Sequence, residues 1–177
     1  NLQGRYGETH KVSALETLQF STISLIDDIS RCVTMDSKIA GDLVYILGTT
    51  RNELGASEYY RHLGYIGRNI PKVRPEEFIP NYRHLMQAID NELVASAHGV
   101  YRGGLAIHLA MVAMGGGDLG LQADLTKVPG GSGMRDDVVL FSESAGRFIV
   151  TVDPDKREQF EDIFQTDVCT CIGKVTD

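Results

Sequence analysis

The sequence predicts an α/β domain, and three observations carry the prediction. Residues Leu93 to Leu125 join an apolar strand, a Gly103-Gly104 turn, an apolar helix and a second strand of period two without spare residues. Short β-rich runs such as Leu43 to Leu47 and Arg147 to Val152 alternate with segments of helical spacing such as Tyr82, Leu85, Met86 and Ile89. The chain has 177 residues, enough for one domain that buries roughly 70% of its unfolded surface.

Taken in order, Asn1 to Ser13 is polar, carries no period and starts without an initiator methionine, which reads as a boundary cut into a larger polypeptide. Thr17 to Ile26, rich in β-branched and aromatic residues, is predicted as a strand closed by Asp27-Asp28. Leu43 to Leu47 is apolar on both faces and suits a central strand, ending at Gly48. Glu53 to Tyr59 is a loop that starts a short helix through Ser57, and residues 61 to 80 are expected to be largely irregular because of Gly64, Gly67 and Pro71. An amphipathic helix opens at Asn81, turns Arg83, His84 and Asp90 outward, and leads into an inner strand at Leu93 to Ala97.

The segment from Leu105 to Met114 has no wide polar face and reads as a buried helix stopped by Gly115 to Gly117. Leu119 to Leu125 is a half-buried strand. Pro129 to Gly133 is a flexible loop; VVLF (138–141) and RFIVTV (147–152) read as a strand pair split by Ser142 to Gly146. Asp153 caps a helix with Pro154 at its first position and Phe160, Ile163 and Phe164 inward, after which Val168 to Val175 is the last strand. The sum is about six strands and three or four helices.

A formal charge of -7 disfavours nucleic acid and anionic membrane as partners, and no apolar run approaches the roughly 20 residues of a membrane span. Cys32, Cys169 and Cys171 form no C-x-x-C pair. An odd count without a signal peptide points to reduced thiols and the cytoplasm. The C-x-C pair fits a strand with one sulfur on each face.

His98, Arg102, Gly103 and Gly104 lie between a strand end and a helix start, where backbone N–H groups and the helix dipole favour an anion and Arg102 adds a charge-assisted bond. The alternative is that the glycines serve close packing and His98 is a satisfied polar residue. Ser142, Glu143 and Ser144 place two hydroxyls and a carboxylate in one connection, suited to a sugar or a hydrated cation, or to a solvated turn. Glu53, Ser57 and Glu58 are hard oxygen donors that also fit a helix cap, and His62, His84 and His108 lack metal-ligand spacing. Neither a metal site nor a catalytic triad is predicted.

Read together, residues 33 to 60 (VTMDSKIAGDLVYILGTTRNELGASEYY), 93 to 125, 140 to 152 (LFSESAGRFIVTV) and the closing IGKV resemble one family over nearly the whole chain. It is the synthetase subunit of phosphoribosylformylglycinamidine synthase in its small, multi-subunit form, and the resemblance is to the C-terminal domain of that aminoimidazole ribonucleotide synthetase-related superfamily. The resemblance implies a three-layer α/β/α domain, partly ferredoxin-like, with a mixed sheet. Residues 1–30 would be a trailing segment and strand of the preceding domain, and residues 31–177 the C-terminal α/β domain.

For the full enzyme it implies ATP-dependent amidation of formylglycinamide ribonucleotide with glutamine-derived ammonia in purine biosynthesis. ATP and Mg²⁺ are the implied cofactors, and a glutaminase subunit and a small bridging subunit the implied partners. The catalytic groups would lie in preceding domains, leaving this segment as scaffold or as an auxiliary site for ADP or phosphate. Where family members commonly read H-D-x-S-D-G-G, this chain has His98, Gly99, Val100, Tyr101, Arg102, Gly103 and Gly104. Both carboxylates are gone, which argues against Mg²⁺ here and for direct phosphate contact by Arg102. A related ATP-using synthetase or kinase, or a non-catalytic assembly domain, are the competing functions. The orphaned strand at Thr17 to Ile26 is expected to drive homo-dimer formation by the isolated chain.

Overall fold

The computed structural model describes residues 18–164 and 168–177, together with 2–3, 7 and 9–10. A two-residue ladder pairs β1 (Leu2–Gln3) with β2 (Thr9–His10). The main sheet contains β3 (Leu43–Leu47), β4 (Ser96–Val100), β5 (Gly120–Ala123), β6 (Arg147–Val152) and β7 (Cys169–Thr176) in the order β4-β6-β3-β7-β5. Every neighbouring pair is antiparallel. The main sheet is therefore neither mixed nor six-stranded. The helices are α1 (Glu58–His62), α2 (Pro75–Asp90), α3 (Gly104–Gly115), α4 (Asp136–Phe141) and α5 (Arg157–Phe164).

β3 is the middle strand, and its alternation sorts the core. Val44 and Ile46 join Ile149, Ile172, Leu105 and Val112 of α3, and Val139 of α4. Tyr45 and Leu47 join Val150, Leu85 and Ala88 of α2, and Phe160 and Phe164 of α5. A strand apolar on both faces is what a sheet with helices on either side requires. The predicted strand, helix, strand unit is present as β4, α3 and β5. Its strands do not neighbour one another: they run in the same direction at opposite edges, so α3 spans the whole sheet. The inner strand expected at Leu93 to Ala97 is accordingly an edge strand that starts at Ser96.

Four further expectations are corrected. VVLF lies in α4, where Asp136 and Asp137 occupy the first turn, favourable toward the helix dipole, and burial of Val138 and Val139 overrides β-branched propensity. Residues 18–26 pair with no described strand and are exposed, and Thr17 falls outside the described residues. β-rich composition makes a strand only against a partner. The helix expected from Asn81 begins at Pro75 and carries Pro80 inside it; Pro80 and Glu76, whose carbonyl loses its usual donor, are both exposed, so water can substitute. Cys169 and Cys171 pack against the same apolar cluster, because residues two apart on a strand share a face. Burial pushes the Cys169 thiol up to about 12.

Candidate functional site

The predicted residues fall in two connections: the turn from β4 into α3, and the loop from α4 into β6. The turn needs glycine. Gly103 and Gly104 have φ of +93° and +71°, and a Cβ on Gly104 would lie 2.6 to 2.7 Å from the backbone of Leu140 and Phe141. The close α3–α4 approach therefore depends on a missing side chain.

One carboxylate ties the two connections together. Glu143 Oε1 accepts from the Gly103 N–H at 2.8 Å and from the Glu58 N–H at the start of α1 at 2.9 Å. The N–H that was predicted to hold an anion thus holds one supplied by the chain itself. Arg102 pairs with Glu58 at the surface.

Ser142 and Ser144 are fully buried. Ser142 Oγ accepts from the Glu53 N–H at 3.0 Å and donates to the Arg51 carbonyl, and Ser144 Oγ accepts from the Arg51 N–H at 3.0 Å. Below them lies Arg147, 1% exposed, donating to the carbonyls of Ser142 and Ser144 and to Thr50 Oγ1. Burial pushes its guanidinium down to about 10, against the opposing pull of Glu53 and Glu143. Glu53, also buried, accepts from Arg74 at 2.8 Å through Oε1, while Oε2 has no partner among the described residues.

His98 is joined to a residue the sequence did not connect with it. Its Nε2 lies 2.8 Å from His108 Nδ1, and His108 Nε2 accepts from the Tyr101 N–H at 2.9 Å. Burial holds both imidazoles below the ordinary histidine range. Of the seven predicted residues, the structure bonds Gly103 to Glu143, pairs Arg102 with Glu58 and His98 with His108, and puts the Ser142 and Ser144 side chains out of reach of solvent. Sequence reasoning missed Arg147, whose signal is a charged residue opening an otherwise apolar strand, and His108, a lone polar group on an apolar helix.

No three His, Cys, Asp or Glu side chains among the described residues cluster as a metal site would require. An open cleft of about 440 Å³ lies beside α1, lined by Tyr59, Tyr60, Tyr65, Leu63, Arg135 and Asp137 among others. None of the seven predicted residues lines it.

A curled, all-antiparallel sheet with helices on each side and a glycine turn sealed by a glutamate define an α+β domain. The chain belongs to the AIR synthase related protein, C-terminal domain, family, which it matches over residues 40–177. A phosphoribosylformylglycinamidine synthase subunit PurL of Thermococcus sibiricus is 39% identical over 149 residues, 84% of this chain and 20% of the relative. The subunit PurL of Alkaliphilus metalliredigens is 35% identical over 158 residues, 89% of this chain and 21% of the relative. The chain thus spans about a fifth of the length of these curated relatives. The fold matches T. maritima PurL complexed with FGAR at a TM-score of 0.73 and 19% identity, over 84% of this chain and 26% of that one. It also matches hydrogenase maturation protein HypE in complex with ATP, at 0.58 and 16% over 84% of this chain and 46% of that one.

Proposed function

We propose that this chain serves as the C-terminal domain of a phosphoribosylformylglycinamidine synthase, the ATP- and Mg²⁺-dependent ligase that amidates formylglycinamide ribonucleotide in the cytoplasm. Its own share is scaffolding. The observation that carries this reading is the internal use of the candidate groups: Gly103 N–H, Ser142 Oγ and Ser144 Oγ are all bonded within the chain. Residues 1–30 belong with a preceding domain and residues 31–177 form this one, supported by the family match from residue 40 and the exposed apolar stretch before it. The two apolar clusters on opposite faces of β3 support a three-layer arrangement. A glutaminase and a small bridging subunit are the partners of the assembled enzyme. The identities of 39% and 35% favour this amidating enzyme over a HypE-like relative.

A second reading rests on Arg102, 74% exposed at its side chain beside the glycine turn: His98, Arg102, Gly103 and Gly104 would bind ADP or phosphate once Glu143 is displaced. Reconstitution of the full synthetase subunit with and without this segment tests the first reading. Ammonia- and substrate-dependent ADP release should vanish without the segment, and the isolated chain should release none. A deleted subunit that keeps its rate, or turnover by the isolated chain, overturns it. Calorimetric titration of wild type and Arg102→Ala with ADP and phosphate tests the second: equal binding, or none at millimolar ligand, removes it.

A further inference from the structure

We propose that His108 is the positioning residue of the turn at residues 98–104, and that its pairing with His98 makes this turn acid-sensitive. The argument is the direction of the hydrogen bonds. His108 Nε2 accepts from the Tyr101 N–H, so in the neutral ring the proton sits on Nδ1 and is donated to His98 Nε2. His98 then carries its own proton on Nδ1. The chain of bonds from Tyr101 to His108 to His98 uses the lone pair of each imidazole. A proton added to His108 Nε2 meets the Tyr101 N–H donor to donor. A proton added to His98 Nε2 meets the His108 Nδ1–H in the same way, and reversing that bond moves the clash to Tyr101. Any net protonation of the pair therefore costs one of its two bonds.

The surroundings reinforce the neutral state. His108 is only 5% exposed on α3. Arg147 of β6 and His98 of β4 oppose its protonation, whereas Glu143 of the α4–β6 loop and the backbone at Arg102 favour it, and burial is the largest influence. The Tyr101 ring stands edge-on to both imidazoles, at 5.6 Å from His108 and 6.3 Å from His98. The Arg102 side chain, on the same turn, is engaged by Glu58 of α1. With folded-state affinities for protons below those of the unfolded chain, the stabilisation is fully present above about pH 6.5 and is lost as pH falls through the folded values. Acid thus loosens the turn that presents Gly103 to Glu143. The inference concerns the turn itself and stands whether or not the turn binds a ligand.

Hydrogen exchange followed by NMR on the 177-residue chain tests it. The protection factor of the Tyr101 amide, taken relative to β3 amides, should fall by up to about tenfold per pH unit below about pH 6.5, where the opened turn takes up a proton that the closed pair does not. His108→Gln offers an amide oxygen to the same N–H without titrating, so its Tyr101 profile should flatten. Imidazole ¹⁵N shifts of the wild type give an independent readout should that variant fail to fold: at pH 7.5, His108 Nε2 should be unprotonated. The proposal is overturned if relative protection at Tyr101 is the same at pH 5 and pH 7.5, if a folded His108→Gln retains the wild-type profile, or if His108 Nε2 carries the proton.

Discussion

The loop around Ser142 to Arg147 and the stretch from Leu18 to Ile29 are opposite solutions to one problem. In the first, polar groups are buried and find partners within the chain, with Arg147, Ser142 and Ser144 joined to Thr50, Arg51 and Glu53. In the second, Leu18, Phe20, Ile23, Leu25, Ile26 and Ile29 are apolar and 68% to 97% exposed. Buried polar groups are tolerable only when satisfied, and clustered apolar groups in water imply a surface that covers them. The difference teaches which groups this chain satisfies by itself and which it leaves exposed.

The largest expected effect breaks the first region. Arg147→Met keeps side-chain volume but leaves two carbonyls and the Thr50 hydroxyl without their donor, and urea titration should show a loss of at least about 3 kcal/mol, at about 1 or more for each of the three orphaned groups. A loss under about 1 kcal/mol would mean that water replaces the guanidinium and the loop is not a closed unit. Next is Gly104→Ala, which strains a left-handed backbone by about 1 to 3 kcal/mol and adds a clash with the α4 backbone. Its melting temperature should drop with or without added ADP.

Glu143→Gln keeps one acceptor oxygen and loses the charge that strengthens both bonds, so about 1 kcal/mol should go. An unchanged melting curve would show that the Gly103 and Glu58 N–H groups do not need a carboxylate. The smallest change in stability belongs to the second region. The double variant Ile23→Asp, Leu25→Asp should leave stability within about 0.5 kcal/mol while reducing self-association. Sedimentation that finds wild type monomeric at high concentration would remove the homo-dimer expectation.

Much of the fold was legible because its rules are local. Two-sided apolarity placed β3 at the centre, Ser57 marked α1, and the Gly103-Gly104 pair and the Gly115 to Gly117 run marked the ends of α3. What escaped is long-range. The sequence shows β4, α3 and β5 as one consecutive unit but not their places in the sheet, where three strands separate β4 from β5. VVLF looked like a strand until α3 supplied a surface for a helix. At the candidate site, the glycine turn was visible, but its occupant was not. Glu143 lies 40 residues beyond Gly103, and Arg147 reaches Thr50 across 97; no spacing rule spans such intervals.

The strand order also bears on how the molecule is made. Among the described residues β5 pairs with β7 alone, and β7 follows the other four strands of the sheet in the chain. While the ribosome has delivered only β3 to β6, three strands can assemble as β4-β6-β3, but residues 120–123 have nothing to hold them and α3 has no far edge to reach. Insertion of residues 169–176 closes that gap in one move. A pause in translation just before Cys169 would therefore leave a nascent chain with an open flank on β3, vulnerable to proteases and to pairing with its neighbours on the same polysome.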